Sequence, residues 1–225
     1  MELEKFSNYI NFNWNQYKES ITEISKNKKS SLVVSDKELF NFDKIKDDIY
    51  KQKKVKPTSV DGLQITGKEV NLIEFKSGFE DKISRDKLNP DKAKCDVLGD
   101  ICDDYWKVFF SKRDLEKQEL IDSIKMKAVE SYMTLEKMIY PAINIKNKDI
   151  LPNLIVVIDS NPSDSMEYIL GDLAKRTPPK NNMIGKVNEA LVRFQNQNDF
   201  NGNSFYYNHI TVMSVAEYEC KINES

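Results

Sequence analysis

The sequence contains few cysteine and histidine residues, and they form no recognisable reactive or structural pattern. Three cysteines, Cys95, Cys102 and Cys220, are an odd number without zinc-type spacing, so the sequence indicates neither a disulfide framework nor a zinc knuckle. The single histidine, His209, has no partner histidine and no nearby nucleophile, which leaves a serine or cysteine hydrolase without support. Only seven glycines and seven prolines among 225 residues argue against a disordered or fibrous chain.

Long apolar runs are also absent from the sequence. No apolar stretch approaches the roughly 18 residues that are needed to span a bilayer. The first residues, MELEKF, are polar and acidic, unlike a secretory signal. The cysteine pattern is typical of proteins in a reducing compartment, so we expect a cytoplasmic protein. Because no apolar run could span a bilayer, we expect no membrane as a partner.

The charge balance lacks the strong basic excess of many nucleic-acid-binding domains, since the formal net charge is −2. Any contact with phosphates must therefore be local. The densest basic runs are Lys26, Lys28 and Lys29, then Lys51, Lys53, Lys54 and Lys56, with a weaker cluster at Lys175, Arg176 and Lys180. Such runs are usually solvated surface, so charge alone assigns them no partner.

The length and composition predict one globular domain over residues 1–225, with 40% hydrophobic and 31% charged residues. Apolar residues recur at helical spacing from Leu3 to Ile24, which predicts an amphipathic helix. This helix would form an N-terminal extension over residues 1–30. It could pack on the core or form a seam between two copies of the chain.

Residues 35–160 are expected to form the core of the domain. The string Ser35-Asp36-Lys37-Glu38 has the pattern of a capping box and predicts a helix to about Gln52. Pro57 then favours extended backbone, and two strand-like segments follow, SVDGLQI and, after TGKE, VNLIEFK. These segments predict a hairpin over residues 58–77.

The rest of the chain alternates between helical and strand-like patterns. Helices are predicted over residues 90–112, 114–139, 163–175 and 183–195, a strand buried on both faces over 154–158, and one long final strand over 205–219. Asp159, at the end of the buried strand, suits either a functional acid or a turn. This order predicts an α/β fold with a central mixed sheet flanked by helices.

The predicted hairpin places two carboxylates opposite each other. A two-residue turn at Gly67 and Lys68, or a four-residue loop around it, pairs Asp61 with Glu74. Directly opposed residues of an antiparallel pair have Cβ atoms roughly 4.5 to 5.5 Å apart, and like charges so placed are destabilising. The pair therefore requires a cation or a proton. Strand alternation also places Lys76 on the face of Glu74, while Phe75 points to the other layer.

This set of charges suits a divalent metal ion. Mg²⁺ takes carboxylate oxygens and keeps several waters. Such an ion can polarise a phosphoryl oxygen and lower the pKa of a water, and a neighbouring lysine can orient or deprotonate that water. The other interpretation is a solvated hairpin end, on which Glu74 and Lys76 form an ordinary surface pair worth at most about 1 kcal/mol.

The segment SVDGLQITGKEVNLIEFKSG resembles the hallmark of the PD-(D/E)XK, or restriction-endonuclease-like, nuclease superfamily. That hallmark is an acid on one strand followed by acid, any residue and lysine on the next. The resemblance implies a restriction-endonuclease-like core and hydrolysis of phosphodiester bonds in DNA or, less often, RNA with Mg²⁺ or Mn²⁺. It also implies that Asp61, Glu74 and the carbonyl of Phe75 bind the metal, and that Lys76 serves the attacking water. Val60 stands where the motif has proline.

The resemblance implies further residues around this centre. Many members of the superfamily use an acid on the preceding helix, for which Glu38 is the candidate. Members often place a lysine or glutamine on the helix after the lysine strand, and Gln118, Lys125 and Lys127 all fit. The lysines of residues 51–56 would lead substrate phosphates toward the hairpin.

Two functions are compatible with the sequence. One is a metal-dependent nuclease, in any of the restriction, defence, repair, recombination or mobile-element roles that this fold serves. The other is a catalytically inactive protein of the same fold that binds a protein partner through the N-terminal helix or the tyrosine-rich final strand.

Overall fold

The structure is a computed structural model that describes residues 2–27, 30–79, 100–146, 149–159, 183–194 and 206–224. Of the predicted elements, the helix over residues 163–175 and the first part of the helix over 90–112 lie outside these residues. Lys28, Lys29 and the basic cluster at residues 175–180 lie outside them as well.

Six strands form one mixed sheet, in which the spatial order follows the order along the chain. The strands are β1 (Lys18–Ser20), β2 (Glu38–Asn41), β3 (Gly62–Ile65), β4 (Val70–Lys76), β5 (Asn153–Ile158) and β6 (Ile210–Ser214). The pairs from β1 to β4 are antiparallel, whereas β4, β5 and β6 are parallel to one another. The prediction of an α/β fold with a mixed central sheet is thereby confirmed.

Helices cover both faces of this sheet. They are α1 (Glu2–Trp14), α2 (Ile21–Ile24), α3 (Phe42–Ile49), α4 (Asp100–Thr134), α5 (Met183–Leu191) and α6 (Val215–Glu224). A π-helical turn, Leu135–Ile139, and a single α-helical turn, Tyr140–Ala142, prolong α4. Within the described residues, no helix combines the length and apolar character needed to cross a bilayer.

Strand alternation divides the core into two layers. The larger layer contains Leu63, Leu72 and Val156 and receives residues from α1, α3, α4 and α5. The smaller layer, on the other face, contains Ile73 and Phe75 and receives residues from α2 and α6. Strand β5 is buried along its whole length, as expected for a strand with parallel neighbours on both sides.

The predicted continuous N-terminal helix to Ile24 is wrong. Helix α1 ends at Trp14, a 3₁₀ turn follows, and Lys18–Ser20 becomes the edge strand β1. The first half of the apolar pattern is nevertheless used as expected, because Phe6, Ile10 and Trp14 are buried in the larger core layer. Trp14 also donates a hydrogen bond of 3.0 Å from Nε1 to Asp48 Oδ2 on α3, so α1 packs on the core.

The predicted capping box at Ser35 is also wrong. Residues Glu38–Asn41 form strand β2, whose Leu39 and Phe40 are buried in opposite core layers. The helix begins only after this strand, at Phe42. Its N-cap is Asn41, whose Oδ1 accepts a hydrogen bond of 3.0 Å from the Lys44 amide.

Two other predicted boundaries shift. The two predicted helices on either side of Arg113 form one helix, since α4 runs without a break from Asp100 to Thr134. The long final strand is shorter than predicted, because β6 ends at Ser214 and α6 begins at Val215. The helix predicted over 183–195 is found as α5 with a 3₁₀ turn after it.

Candidate active site

The hairpin of β3 and β4 has the predicted register, with Leu63 opposite Leu72 and Ile65 opposite Val70. The Thr66 amide closes the turn by donating to the Glu69 carbonyl at 2.9 Å. Asp61 lies directly before β3, and its amide donates to the Ile73 carbonyl at 3.1 Å.

Asp61 and Glu74 converge on one cation, the side chain of Lys127 on α4. The Lys127 Nζ lies 2.9 Å from Asp61 Oδ1 and 2.8 Å from Glu74 Oε2. The other oxygen of Asp61, Oδ2, accepts a hydrogen bond of 2.7 Å from the Phe75 amide. Charge-assisted bonds of this kind orient a carboxylate strongly. The two acids that the sequence pairs thus share a single positively charged group.

Lys76 lies on the same face of the hairpin as Glu74, as predicted from strand alternation. Its Nζ donates a hydrogen bond of 3.0 Å to Ser123 Oγ. Ser123 is one helical turn before Lys127 on α4, and residues four apart on a helix lie on the same side. Helix α4 therefore positions both lysines of the site.

The same helix also fixes the segment that leads into Asp61. The buried Ser131 hydroxyl accepts a hydrogen bond of 2.8 Å from the Val60 amide. Glu130 Oε2 accepts bonds from both the amide and the hydroxyl of Thr58. Two consecutive residues of α4 thus hold the segment that leads into Asp61, which limits the freedom of its carboxylate.

Burial dominates the electrostatics of the two carboxylates. Burial, and after it the neighbouring Asp61 carboxylate, raise the pKa of Glu74 to about 8 against the opposing effect of Lys127. Burial likewise raises the pKa of Asp61, against the effect of Lys127 and of the bond from the Phe75 amide. Burial lowers the pKa of Lys127, but Glu74 and Asp61 together hold it above its usual value. The ammonium is therefore retained as the counter-ion of the pair.

A third acid near this pair is Asp43, in the first turn of α3, which is not among the residues predicted from the sequence. Its Oδ1 accepts hydrogen bonds from the buried Ser59 hydroxyl and, at 3.1 Å, from Lys46 Nζ. Its charge is close enough to raise the pKa of Asp61. The Asn41 cap followed by an acid in the first turn is the sequence signal that could have indicated Asp43.

Glu38, the acid proposed for the preceding helix, is not brought to the carboxylate pair. It lies on β2 instead of a helix, and its side chain is exposed. Phe40 pairs with Leu63 and Asn41 with Gly62, so the strand carries Glu38 toward the hairpin loop and away from Asp61.

Of the three candidates on the helix after the lysine strand, the structure brings only Lys127 to the pair. Gln118 Nε2 and Lys125 Nζ both donate to Asp122 Oδ1, at 3.1 Å and 2.7 Å. Asp122 is exposed. These residues therefore lie on the outer side of α4.

The structure places the predicted phosphate-binding lysines on the surface. The segment between α3 and β3 carries all four of them exposed: Lys51, Lys53, Lys54 and Lys56.

The Phe75 side chain points away from the carboxylate pair, as predicted. It packs edge-on against Tyr218 in the smaller core layer. His209 is exposed.

Asp159, at the end of β5, has a structural role in the chain after β4. Its carboxylate accepts hydrogen bonds from the Gly78 and Phe79 amides at 2.7 Å and 2.9 Å. Gly78 has φ of +103°, a conformation that L side chains rarely adopt. Asp159 therefore stabilises the turn that directly follows Lys76.

The pair offers a divalent ion carboxylate oxygens as ligands. Among the described residues, no group of three or more His, Cys, Asp and Glu side chains is arranged to hold a metal. Glu74 Oε1, however, is buried and accepts no hydrogen bond from any described residue, which is costly for a carboxylate oxygen. Two carboxylates, one with a free oxygen, fit Mg²⁺, since this ion keeps several of its waters.

Comparison with known proteins adds no relative. No protein-family model matches the chain, and no curated protein or solved structure matches it significantly.

Proposed function

We propose that the protein is a metal-dependent nuclease that hydrolyses phosphodiester bonds in nucleic acid, with DNA favoured over RNA by the family resemblance. The observation that carries the proposal is the convergence of Asp61 Oδ1 and Glu74 Oε2 on one cation, while Glu74 Oε1 has no partner among the described residues. A buried and a half-buried carboxylate that converge on one point supply the oxygen ligands that a divalent ion binds.

Each residue of the hairpin site would have a separate role in the reaction. Asp61 and Glu74 would hold Mg²⁺ or Mn²⁺, and the bound ion would polarise a phosphoryl oxygen and lower the pKa of a water. The Phe75 amide keeps Asp61 oriented through its bond of 2.7 Å. Lys76, held by Ser123, would orient the attacking water and accept or return its proton.

The order of the elements supports a restriction-endonuclease-like core. Strands β2, β3 and β4 are antiparallel neighbours, and α4 then leads to β5, which is parallel to β4. The candidate residues lie on β4, directly before β3, and on α4. This agrees with the family pattern of an acid strand, an acid-x-lysine strand and a following helix.

The exposed lysines between α3 and β3 would guide the substrate. Lys51 pairs with Asp48 at 3.6 Å and Lys56 with Asp47 at 3.2 Å, so part of their charge is already compensated. Lys53 and Lys54 form no ion pair with a described residue. Because this segment leads along the chain from the helix of Asp43 to Asp61, its lysines would attract a phosphate backbone on its way to the hairpin.

The alternative function is a catalytically inactive protein that binds a protein partner, alone or as two copies. One observation favours it: Lys127 compensates both carboxylates without a metal, as a purely structural ion pair would. The exposed Phe12 on α1, at 89% relative accessibility, offers one apolar contact to such a partner. A cytoplasmic location stays a prediction under either function.

Cleavage assays with purified protein test the proposal. We expect cleavage of single- or double-stranded DNA, or of RNA, with Mg²⁺ or Mn²⁺ and none in EDTA. Asp61→Asn should abolish cleavage and also the rise in melting temperature on addition of Mn²⁺. Asp47→Asn is the control, because the ion pairs that Asp47 forms with described residues are those with Lys46 and Lys56, so this variant should behave as wild type. Absence of cleavage and of any metal-dependent stabilisation would favour the inactive binding protein.

A further inference from the structure

The Lys127 ammonium lies between the two carboxylates, in the position that a divalent ion held by both of them would need. Glu74 is fully buried, whereas the side chains of Asp61 and Lys127 are 18% and 22% exposed. Among these three side chains, Asp61 and Lys127 are therefore the ones that reach solvent. The Lys127 ammonium lies within 3 Å of an oxygen of each acid, so an ion held by both acids would occupy nearly the same space.

We propose that the Lys127 ammonium is an internal counter-cation, which holds Asp61 and Glu74 together in the metal-free protein and is displaced when a divalent ion binds. This inference rests on the proposed function and adds a control step to it. The fold can then form before metal is present, because the two facing acids never lack a positive charge. Metal binding is weakened in return, since the ion must first exchange with the lysine.

The structure lets the lysine leave without loss of the acid geometry. Asp61 keeps its hydrogen bond from the Phe75 amide through Oδ2, the oxygen that Lys127 does not contact. Ser131 and Glu130 hold the chain before Asp61 independently of Lys127. A lysine has a flexible four-carbon stem and a strongly hydrated ammonium, so it can extend from this position into solvent.

Mn²⁺ affinity, measured by isothermal titration calorimetry on the full chain, tests the exchange. Lys127→Met removes the competing charge and keeps most of the side-chain volume. If Lys127 contacts both acids in most of the metal-free wild-type molecules, the variant should bind Mn²⁺ about tenfold more tightly than wild type. Lys125→Met is the matched control, since Lys125 pairs with Asp122 on the same helix, and its affinity should equal that of wild type.

A second measurement needs no variant and remains informative if Lys127→Met does not fold. The side chains of Lys127 and Lys125 have nearly equal exposure, 22% and 21%. An amine-reactive reagent, followed by peptide mass spectrometry, should modify Lys127 several-fold faster in Mg²⁺ than in EDTA. The rate at Lys125 should not change.

The outcomes separate this inference from the proposed function. If wild type binds Mn²⁺ and Lys127→Met binds it equally or more weakly, with no change in labelling, the displacement is overturned while the metal site stands. If neither protein binds Mn²⁺, the proposed function fails and the inference fails with it. Binding by Lys127→Met alone supports the inference, since the lysine then excludes the ion from wild type.

Discussion

Glu74→Gln is expected to reduce metal-dependent cleavage about 10³-fold, because a metal ion supplies several kcal/mol of transition-state stabilisation and each 1.4 kcal/mol is a factor of ten. Glutamine has nearly the same shape but lacks the charge that holds a divalent ion. The variant should remain folded, since Lys127 keeps its bond to Asp61. Initial rates of DNA cleavage in Mn²⁺ and circular dichroism of the same samples measure the two effects.

The same variant should change the pH dependence of stability. The pKa of Glu74 is raised to about 8 in the folded protein, above the value of an exposed glutamate. The folded state therefore binds the proton more tightly than the unfolded state does. The stability that this proton contributes is complete at acidic pH and is lost as pH rises through about 8. In EDTA, the free energy of unfolding of wild type relative to Glu74→Gln should fall between pH 5 and pH 9.

Glu69→Gln is the control for both effects. Glu69 is an exposed carboxylate on the same hairpin, and its Oε2 accepts a hydrogen bond from Asn153 that a glutamine oxygen can also accept. Its cleavage rate and pH profile should match wild type. Full activity in Glu74→Gln, with an unchanged pH profile, would remove Glu74 from the site.

Lys76→Met should reduce the rate of cleavage by about 10²–10⁴-fold, the usual contribution of a positioned acid or base. Metal binding should persist, because Lys76 donates its hydrogen bond to Ser123 and not to either carboxylate. The expected pattern is a large loss of kcat with a Mn²⁺ affinity close to wild type. Single-turnover cleavage and calorimetric titration separate these quantities.

Lys68→Met provides the comparison for this lysine. Lys68 is exposed at the turn of the same hairpin, so it shares the local strand structure and not the site. It should cleave as wild type does. Equal rates in Lys76→Met and Lys68→Met would assign Lys76 a role in packing alone.

The hairpin was the most predictable part of the molecule because residues close together in the sequence determine which side chains face each other. Alternating apolar residues and one tight turn fix which residues face each other, and the observed pair of Leu63 and Leu72 agrees with that pattern. The facing of Asp61 and Glu74 follows from the same register. The buried strand β5 was equally clear, since its apolar run is continuous.

Lys127 could not be selected from the sequence because its position depends on how α4 docks. Lys125 and Lys127 lie on opposite borders of the apolar stripe formed by Ile121, Ile124 and Ala128. The stripe predicts that the helix packs on the sheet, but it does not indicate which border meets the hairpin. That choice comes from tertiary contacts such as the bond between Ser131 and Val60.

The sequence predicts the wrong acid, Glu38, on the helix before the hairpin because two capping signals lie close together. Ser35 and Asn41 both have residue types that begin helices, and the capping box favours the first. Pairing within the sheet makes this segment a strand, because Leu39 and Phe40 fill opposite core layers between β1 and β3. The helix then starts after the strand, and Asp43 takes the position expected of Glu38.

The central claim is that Asp61 and Glu74 jointly hold a divalent ion, and crystals grown with Mn²⁺ test it most directly. Anomalous diffraction should give a peak in contact with both carboxylates, with Lys127 moved from its bridging position. Density showing Lys127 still bonded to both acids at saturating Mn²⁺, with no anomalous peak beside them, would contradict the account.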